Sequence, residues 1–108
     1  MSGSVLEITD AQFAEEVLNV DQDILVYFWA GWCGPCRLVS PSIKAIAEEY
    51  GDRLKVVKLE IDPSPNAVAT CSVEGVPALR FFKEKKVVAS HEGAITKPAL
   101  KAFIEAQL

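Results

Sequence analysis

The chain predicts an α/β domain built on a mixed, five-stranded sheet. Three observations lead there. Ile24 to Trp29 is a continuous apolar run, rich in β-branched and aromatic residues, as in a central strand covered on both faces. Strand-like and helical patterns alternate through the first three strands, which calls for crossover connections and parallel pairing. The last two strands meet at Glu84-Lys85-Lys86, which reads as a hairpin tip and makes the sheet mixed.

Taken in order, Val5-Leu6-Glu7-Ile8 is short and β-like and supplies the first strand, β1. Thr9 is the N-cap of a first helix, with Gln12 completing a capping box. Phe13, Ala14, Val17 and Leu18 form its apolar face. The polar stretch from Asn19 to Asp23 is a loop. In β2, Ile24 to Trp29, alternation puts Leu25, Tyr27 and Trp29 on one face and Ile24, Val26 and Phe28 on the other. A second helix follows the cysteine segment, with Val39, Ile43, Ile46, Ala47 and Tyr50 at helical spacing and Gly51 after its end. Pro41 lies inside it and is expected to kink its first turns. Leu54 to Ile61 gives β3, which Pro63-Ser64-Pro65 ends. Ser64 then caps a short helix reaching about Cys71, with Pro65 at its first position. Gly75-Val76-Pro77 is a turn. Ala78 to Phe82 gives β4, and Val87 to His91 gives β5. Thr96 caps a last helix whose apolar face is Leu100, Phe103 and Ile104.

The length, 108 residues, fits one domain spanning 1–108, and a hydrophobic share of 50% is enough for a packed core. The net charge of −4 argues against a nucleic-acid binder and against docking on an anionic membrane. No apolar run is long enough to cross a bilayer. Met1-Ser2-Gly3-Ser4 lacks the basic and apolar regions of a signal peptide. Three cysteines do not make a stapled secreted scaffold, so the expected home is a reducing cytoplasm.

Chemistry concentrates in Trp32-Cys33-Gly34-Pro35-Cys36, between a strand and a helix. Two thiols three positions apart reach one small volume at the mouth of the helix, where they can bridge each other and exchange with a partner's disulfide. The scaffold is expected to aim Cys33 at solvent and bury Cys36 behind it. Cys71 and His91 would complete a set of four possible zinc ligands. The separations, with 34 residues between Cys36 and Cys71 and 19 between Cys71 and His91, fit no zinc-finger pattern. Cys71 reads as a small packing residue and His91 as a residue near the end of an outer strand.

Trp32-Cys33-Gly34-Pro35-Cys36 after a hydrophobic strand resembles the active site of the thioredoxin family. The likeness extends to Phe28-Trp29-Ala30, Pro41, Lys58-Leu59-Glu60-Ile61-Asp62, Val76-Pro77 and Gly93-Ala94, and so covers essentially the whole chain. It implies a sheet in the order β1-β3-β2-β4-β5, flanked by four helices on both faces. It also implies protein-disulfide reduction without a cofactor or metal, by a monomer that cycles between dithiol and disulfide. The partners implied are disulfide-containing target proteins and a thioredoxin reductase. A flavin enzyme fed by NADPH and an iron–sulfur enzyme fed by ferredoxin are both compatible. One position departs from the family: Tyr27 stands where a buried aspartate is usual.

On this likeness Cys33 is the nucleophile and Cys36 the resolving thiol. The attacking species is a thiolate, so the Cys33 pKa must fall toward neutrality. A fall of ~1.5 units needs ~2 kcal/mol. A helix N-terminus supplies ~0.3–1 kcal/mol, and up to ~2 when partly buried. Backbone amides and the Cys36 thiol are expected to supply the remainder. Gly34 admits a partner's backbone, and Pro35 suits the start of a helix. Neither offers a cation to the thiolate, so the pair should favour reducing others. Trp32, Val76, Pro77, Gly93 and Ala94 are expected to form an apolar docking surface. A cis Val76-Pro77 bond would expose the backbone of Val76 to an extended target segment. Tyr27, with a pKa near 10, cannot act as a base at neutral pH. Its hydroxyl is expected on Lys58 or a water, and Cys36 would lose its proton to water or to the departing thiolate. Lys58 either meets that hydroxyl or holds its ammonium in solvent. Arg37 faces partners or is a solvated charge, and Trp29 packs in the core or against the active-site loop. A non-catalytic binding or assembly module is the competing function; the intact cysteine pair favours the carrier.

Overall fold

A computed structural model describes residues 3–108. The reading of the N-terminus at Met1 and Ser2 lies outside them. The strands are β1 (Val5–Glu7), β2 (Ile24–Trp29), β3 (Lys55–Glu60), β4 (Ala78–Lys83) and β5 (Lys86–Glu92). The α-helices are α1 (Gly34–Tyr50), α2 (Pro65–Thr70) and α3 (Lys97–Glu105). The sheet runs β1-β3-β2-β4-β5, parallel across β1-β3-β2 and antiparallel across β2-β4-β5. This is the order that the family likeness implies.

Alternation in β2 divides the core as expected. Leu25 and Tyr27 pack with Val39, Ile43, Ile46, Ala47 and Tyr50 of α1 and with Leu100 and Ile104 of α3. Ile24, Val26 and Phe28 pack on the other face with Phe13, Val17, Ala67 and Cys71. The sheet is therefore covered on both sides, which is why its central strand reads as an unbroken apolar run.

The first helical segment departs from the expected regular helix. It is a 3-10 turn, Asp10–Gln12, followed by a π turn, Ala14–Leu18. The wider turn keeps Phe13 and Val17 in the core but leaves Ala14 exposed, contrary to its place on the expected apolar face. The capping box of Thr9 and Gln12 is present, and the Thr9 amide donates to the Gln12 side-chain oxygen at 2.9 Å.

α2 begins at Pro65 as expected, but the hydroxyl of Ser64 makes no cap bond. Asp10 does that work from the first helical segment. Its carboxylate accepts the Ala67 amide at 2.8 Å and the Asn66 amide at 3.1 Å. The hairpin turn is two residues, Glu84 and Lys85, both at positive φ (52° and 68°), and Lys86 already belongs to β5. α1 is unbroken across Pro41, whose missing N–H leaves the Arg37 carbonyl without its in-helix donor. Gly51 ends α1 at a φ of 56°, a conformation suited to glycine. Thr96 caps α3, its hydroxyl oxygen accepting the Ala99 amide at 3.3 Å.

Candidate active site

The C-terminal ends of the parallel strands lie at one edge of the sheet, where α/β folds place their sites. β2 ends at Trp29, and α1 starts at Gly34. Between them the Cys33 amide donates to the Ala30 carbonyl at 3.1 Å, closing a tight turn. Cys33 is the N-cap of α1, and its sulfur accepts the Cys36 amide at 3.1 Å. A sulfur in the position of a capping oxygen takes up one of the free amides of the first turn, and it sits at the positive end of the helix. The arrangement stabilises negative charge on that atom.

Cys33 and Cys36 are joined by a disulfide. The expected contrast in exposure is slight: Cys33 is 4% exposed and Cys36 2%. Cys33 does not face open solvent in this oxidised form, because Ala30, Trp29, Ile61 and Val76 pack around the two sulfurs' residues. Trp32 is 67% exposed, and its indole Nε1 donates to the Asp62 carboxylate at 3.0 Å. Asp62 follows β3, and the Trp29–Glu60 register brings the end of β3 beside the cysteine loop. Sequence reasoning gave Asp62 no role; its place just past a strand parallel to β2 was the available signal.

The Val76-Pro77 bond is cis. Val76 packs against the cysteines, and the Pro77 carbonyl accepts the Gly93 amide at 2.8 Å. Gly93 has a φ of 105° and is half-buried, Ala94 is exposed, and Pro77 is buried. Trp32, Val76, Gly93 and Ala94 thus keep surface at this edge, whereas Pro77 contributes the shape of the loop.

Tyr27 is 1% exposed, and its hydroxyl does not meet Lys58. It donates to the Cys36 carbonyl at 3.0 Å and lies 3.0 Å from the Ser40 hydroxyl, which itself reaches the same carbonyl at 2.9 Å. Burial pushes the Tyr27 pKa up, with the Ser40 hydrogen bond opposing in part. The hydroxyl therefore stays neutral at ordinary pH. Ser40 was not singled out from the sequence; its place one helical turn after Cys36 was the signal.

Lys58 pairs with Tyr27 in the strand register but holds its ammonium over the Trp29 ring, 5.6 Å from the centroid. Trp29 touches both the core beside α1 and the cysteine cluster. A cleft of about 840 Å³ opens behind Cys36, between Tyr27, Trp29, Ser40, Lys44 and Lys58. Gly34, Pro35 and Arg37 are exposed on the first turn of α1. Arg37 reaches back to the Gly31 carbonyl at 3.5 Å. Cys71 is a free, buried cysteine whose thiol burial pushes up to about 11, against the nearby Arg80 charge. His91, on β5, lies edge-on to Phe103 of α3. Among the described residues, no three His, Cys, Asp or Glu side chains gather as a metal site. No helix in them is long and apolar enough to cross a membrane.

The family model named Thioredoxin matches residues 4–106. A thioredoxin-like protein of Synechocystis is 60% identical over 105 residues, covering 97% of this chain and 96% of the relative. The thioredoxin of Acidithiobacillus ferridurans is 43% identical over the full length of both chains. The chloroplastic thioredoxin X of Arabidopsis thaliana is 43% identical over 98% of this chain and 59% of its own length. Fold, bridged cysteines and sequence agree: the chain belongs to the thioredoxin family.

Proposed function

We propose that the chain is a monomeric, single-domain carrier of reducing equivalents that reduces protein disulfides through Cys33 and Cys36. Thioredoxins are protein-disulfide oxidoreductases, and this chain carries their cysteine pair in a bridged state. The observation that carries the reading is the Cys33 sulfur at the N-cap of α1, holding the Cys36 amide. In the reduced protein, the Cys33 thiolate attacks a target disulfide. One target sulfur leaves as thiolate, and the other stays bonded to Cys33. Cys36 then loses its proton and attacks the Cys33 sulfur. The second target thiolate leaves, and the bridge forms. Two electrons pass from the cysteine pair to the target.

Tyr27 supplies no base for the second step, since burial keeps its hydroxyl protonated. Cys36 lines the cleft on that side of the pair and is itself 2% exposed. The proton of Cys36 passes to water or to the leaving thiolate. Trp32, Val76, Gly93 and Ala94 receive the target, and Pro77 shapes the loop. A thioredoxin reductase restores the dithiol, drawing on NADPH through a flavin or on ferredoxin through an iron–sulfur centre. A reducing cytoplasm is the compartment that suits this cycle.

Insulin reduction with dithiothreitol as electron donor tests the reading. The parent protein is expected to accelerate it, and Cys33→Ser to return the rate to the dithiothreitol background. Cys36→Ser should accumulate a mixed disulfide. Equal rates for parent and Cys33→Ser would assign the chain to the non-catalytic binding modules instead.

A further inference from the structure

On the sheet face opposite α1, a buried arginine ties the target-facing loop to the sheet. Arg80 lies in β4 between Leu79 and Phe81 and is 4% exposed. Its Nε donates to the Cys71 carbonyl at 2.8 Å, and its Nη1 to the Leu79 carbonyl at 2.9 Å. Nη2 donates to the Ser72 carbonyl at 3.1 Å and to the Glu92 carboxylate at 2.7 Å. A buried guanidinium is costly unless its donors are used, and here each nitrogen has an acceptor. Two of those acceptors lie just past the C-terminus of α2, where a cation is favoured.

Glu92 extends the network into the loop. Its two carboxylate oxygens accept the Gly75 amide at 3.1 Å and the Glu74 amide at 3.2 Å. On either side, backbone bonds also fix the loop: Val73 donates to the Val68 carbonyl, and the Pro77 carbonyl accepts from Gly93. Between those two points, the Glu92 carboxylate holds the Glu74 and Gly75 amides. Val76 comes directly after them and packs on the cysteines.

We infer that Arg80 and Glu92 are positioning residues for target recognition: the carboxylate, oriented by the buried guanidinium, fixes Glu74 and Gly75 and so the backbone edge that Val76 offers to an extended target. The inference rests on the function proposed above. Without the carboxylate, the loop must be ordered as the target binds, and affinity falls. The sulfur chemistry, on the far side of Val76, is untouched.

The test compares two disulfide substrates with the reduced protein in excess. One is a disulfide-linked peptide able to lie extended against Val76. The other is 5,5′-dithiobis(2-nitrobenzoate), which has no backbone. Glu92→Gln keeps the size of the side chain but removes the charge and one acceptor oxygen. It is expected to raise the half-saturating concentration for the peptide about fivefold to tenfold. The limiting rate, and the rate with the small disulfide, should stay within about twofold. Arg80→Met is expected to act in the same direction; if it does not fold by circular dichroism, Glu92→Gln decides alone. An unchanged half-saturation in folded Glu92→Gln overturns the inference. So does an equal loss on both substrates, which would mark the pair as merely structural. A parent protein that reduces neither substrate removes the functional reading itself, and this inference with it.

Discussion

In the proposed cycle, Tyr27 borders the resolving step without entering it. Its hydroxyl and that of Ser40 both reach the Cys36 carbonyl. They fix the backbone beneath the resolving sulfur and offer it no base. Tyr27→Asp places a group there that titrates near 4 when exposed and higher when buried. It is expected to speed decay of the mixed disulfide near neutral pH, read by stopped-flow with a labelled target; an unchanged rate contradicts the account. Tyr27→Phe removes the hydroxyl, and the carbonyl keeps Ser40. Stability should fall by about 1 kcal/mol in urea titration, with the resolving rate held within about twofold. A larger loss of rate would place the hydroxyl in the chemistry. At this scale the sequence is readable for residue type and spacing: the cysteine pair, the departure at Tyr27 and the Val76-Pro77 turn are all plain. Partners are less so. That Tyr27 meets Cys36 and Ser40 rather than Lys58 depends on how closely α1 approaches β2, which no local pattern encodes.

Elements were legible where a periodic apolar face meets the core. The expected positions 39, 43, 46, 47 and 50 of α1 are all buried. The first helical segment was misjudged in type, because 3-10 and π turns carry nearly the same spacing as an α-helix over so few residues. The cap of α2 was misjudged because its donors are met from another segment. Asp10→Ala leaves the Asn66 and Ala67 amides without that acceptor. It is expected to lower stability by about 1 kcal/mol in urea unfolding, whereas Ser64→Ala at the same N-cap should lose no capping energy. The hairpin offers the opposite change. Glu84 and Lys85 both occupy left-handed conformations that side chains resist. Glu84→Asn with Lys85→Gly should raise stability by about 1 kcal/mol or more, measured by the same titration.

The whole molecule holds the two layers of core against one sheet, and its edges are tied by charge. The parallel and antiparallel pairings followed from the alternation of elements and the hairpin. The placement of β3 between β1 and β2 came only from the family likeness, since periodicity does not say which strands become neighbours. Charge ties add a pH dependence. The Arg80 hydrogen bond, aided by the Glu74 and Gly75 amides, holds the Glu92 carboxyl below its ordinary 4.5 despite partial burial. The Lys101 hydrogen bond lowers Glu49 likewise. Depressed carboxyls stabilise the fold above their unfolded pKa and lose that contribution as pH falls through the folded value. The melting temperature should therefore drop on acidification below about pH 4.5, and less steeply in Glu92→Gln. The proposed function rests on one sulfur at the start of α1, bonded to the Cys36 amide. The direct test is the rate of iodoacetamide alkylation of the reduced protein against pH, with the modified residue located by mass spectrometry. The account predicts that Cys33 reacts first, with a midpoint at least about one unit below the 8.5 of a free cysteine. A midpoint at or above that value, or reaction no faster at Cys33 than at Cys36, would contradict it.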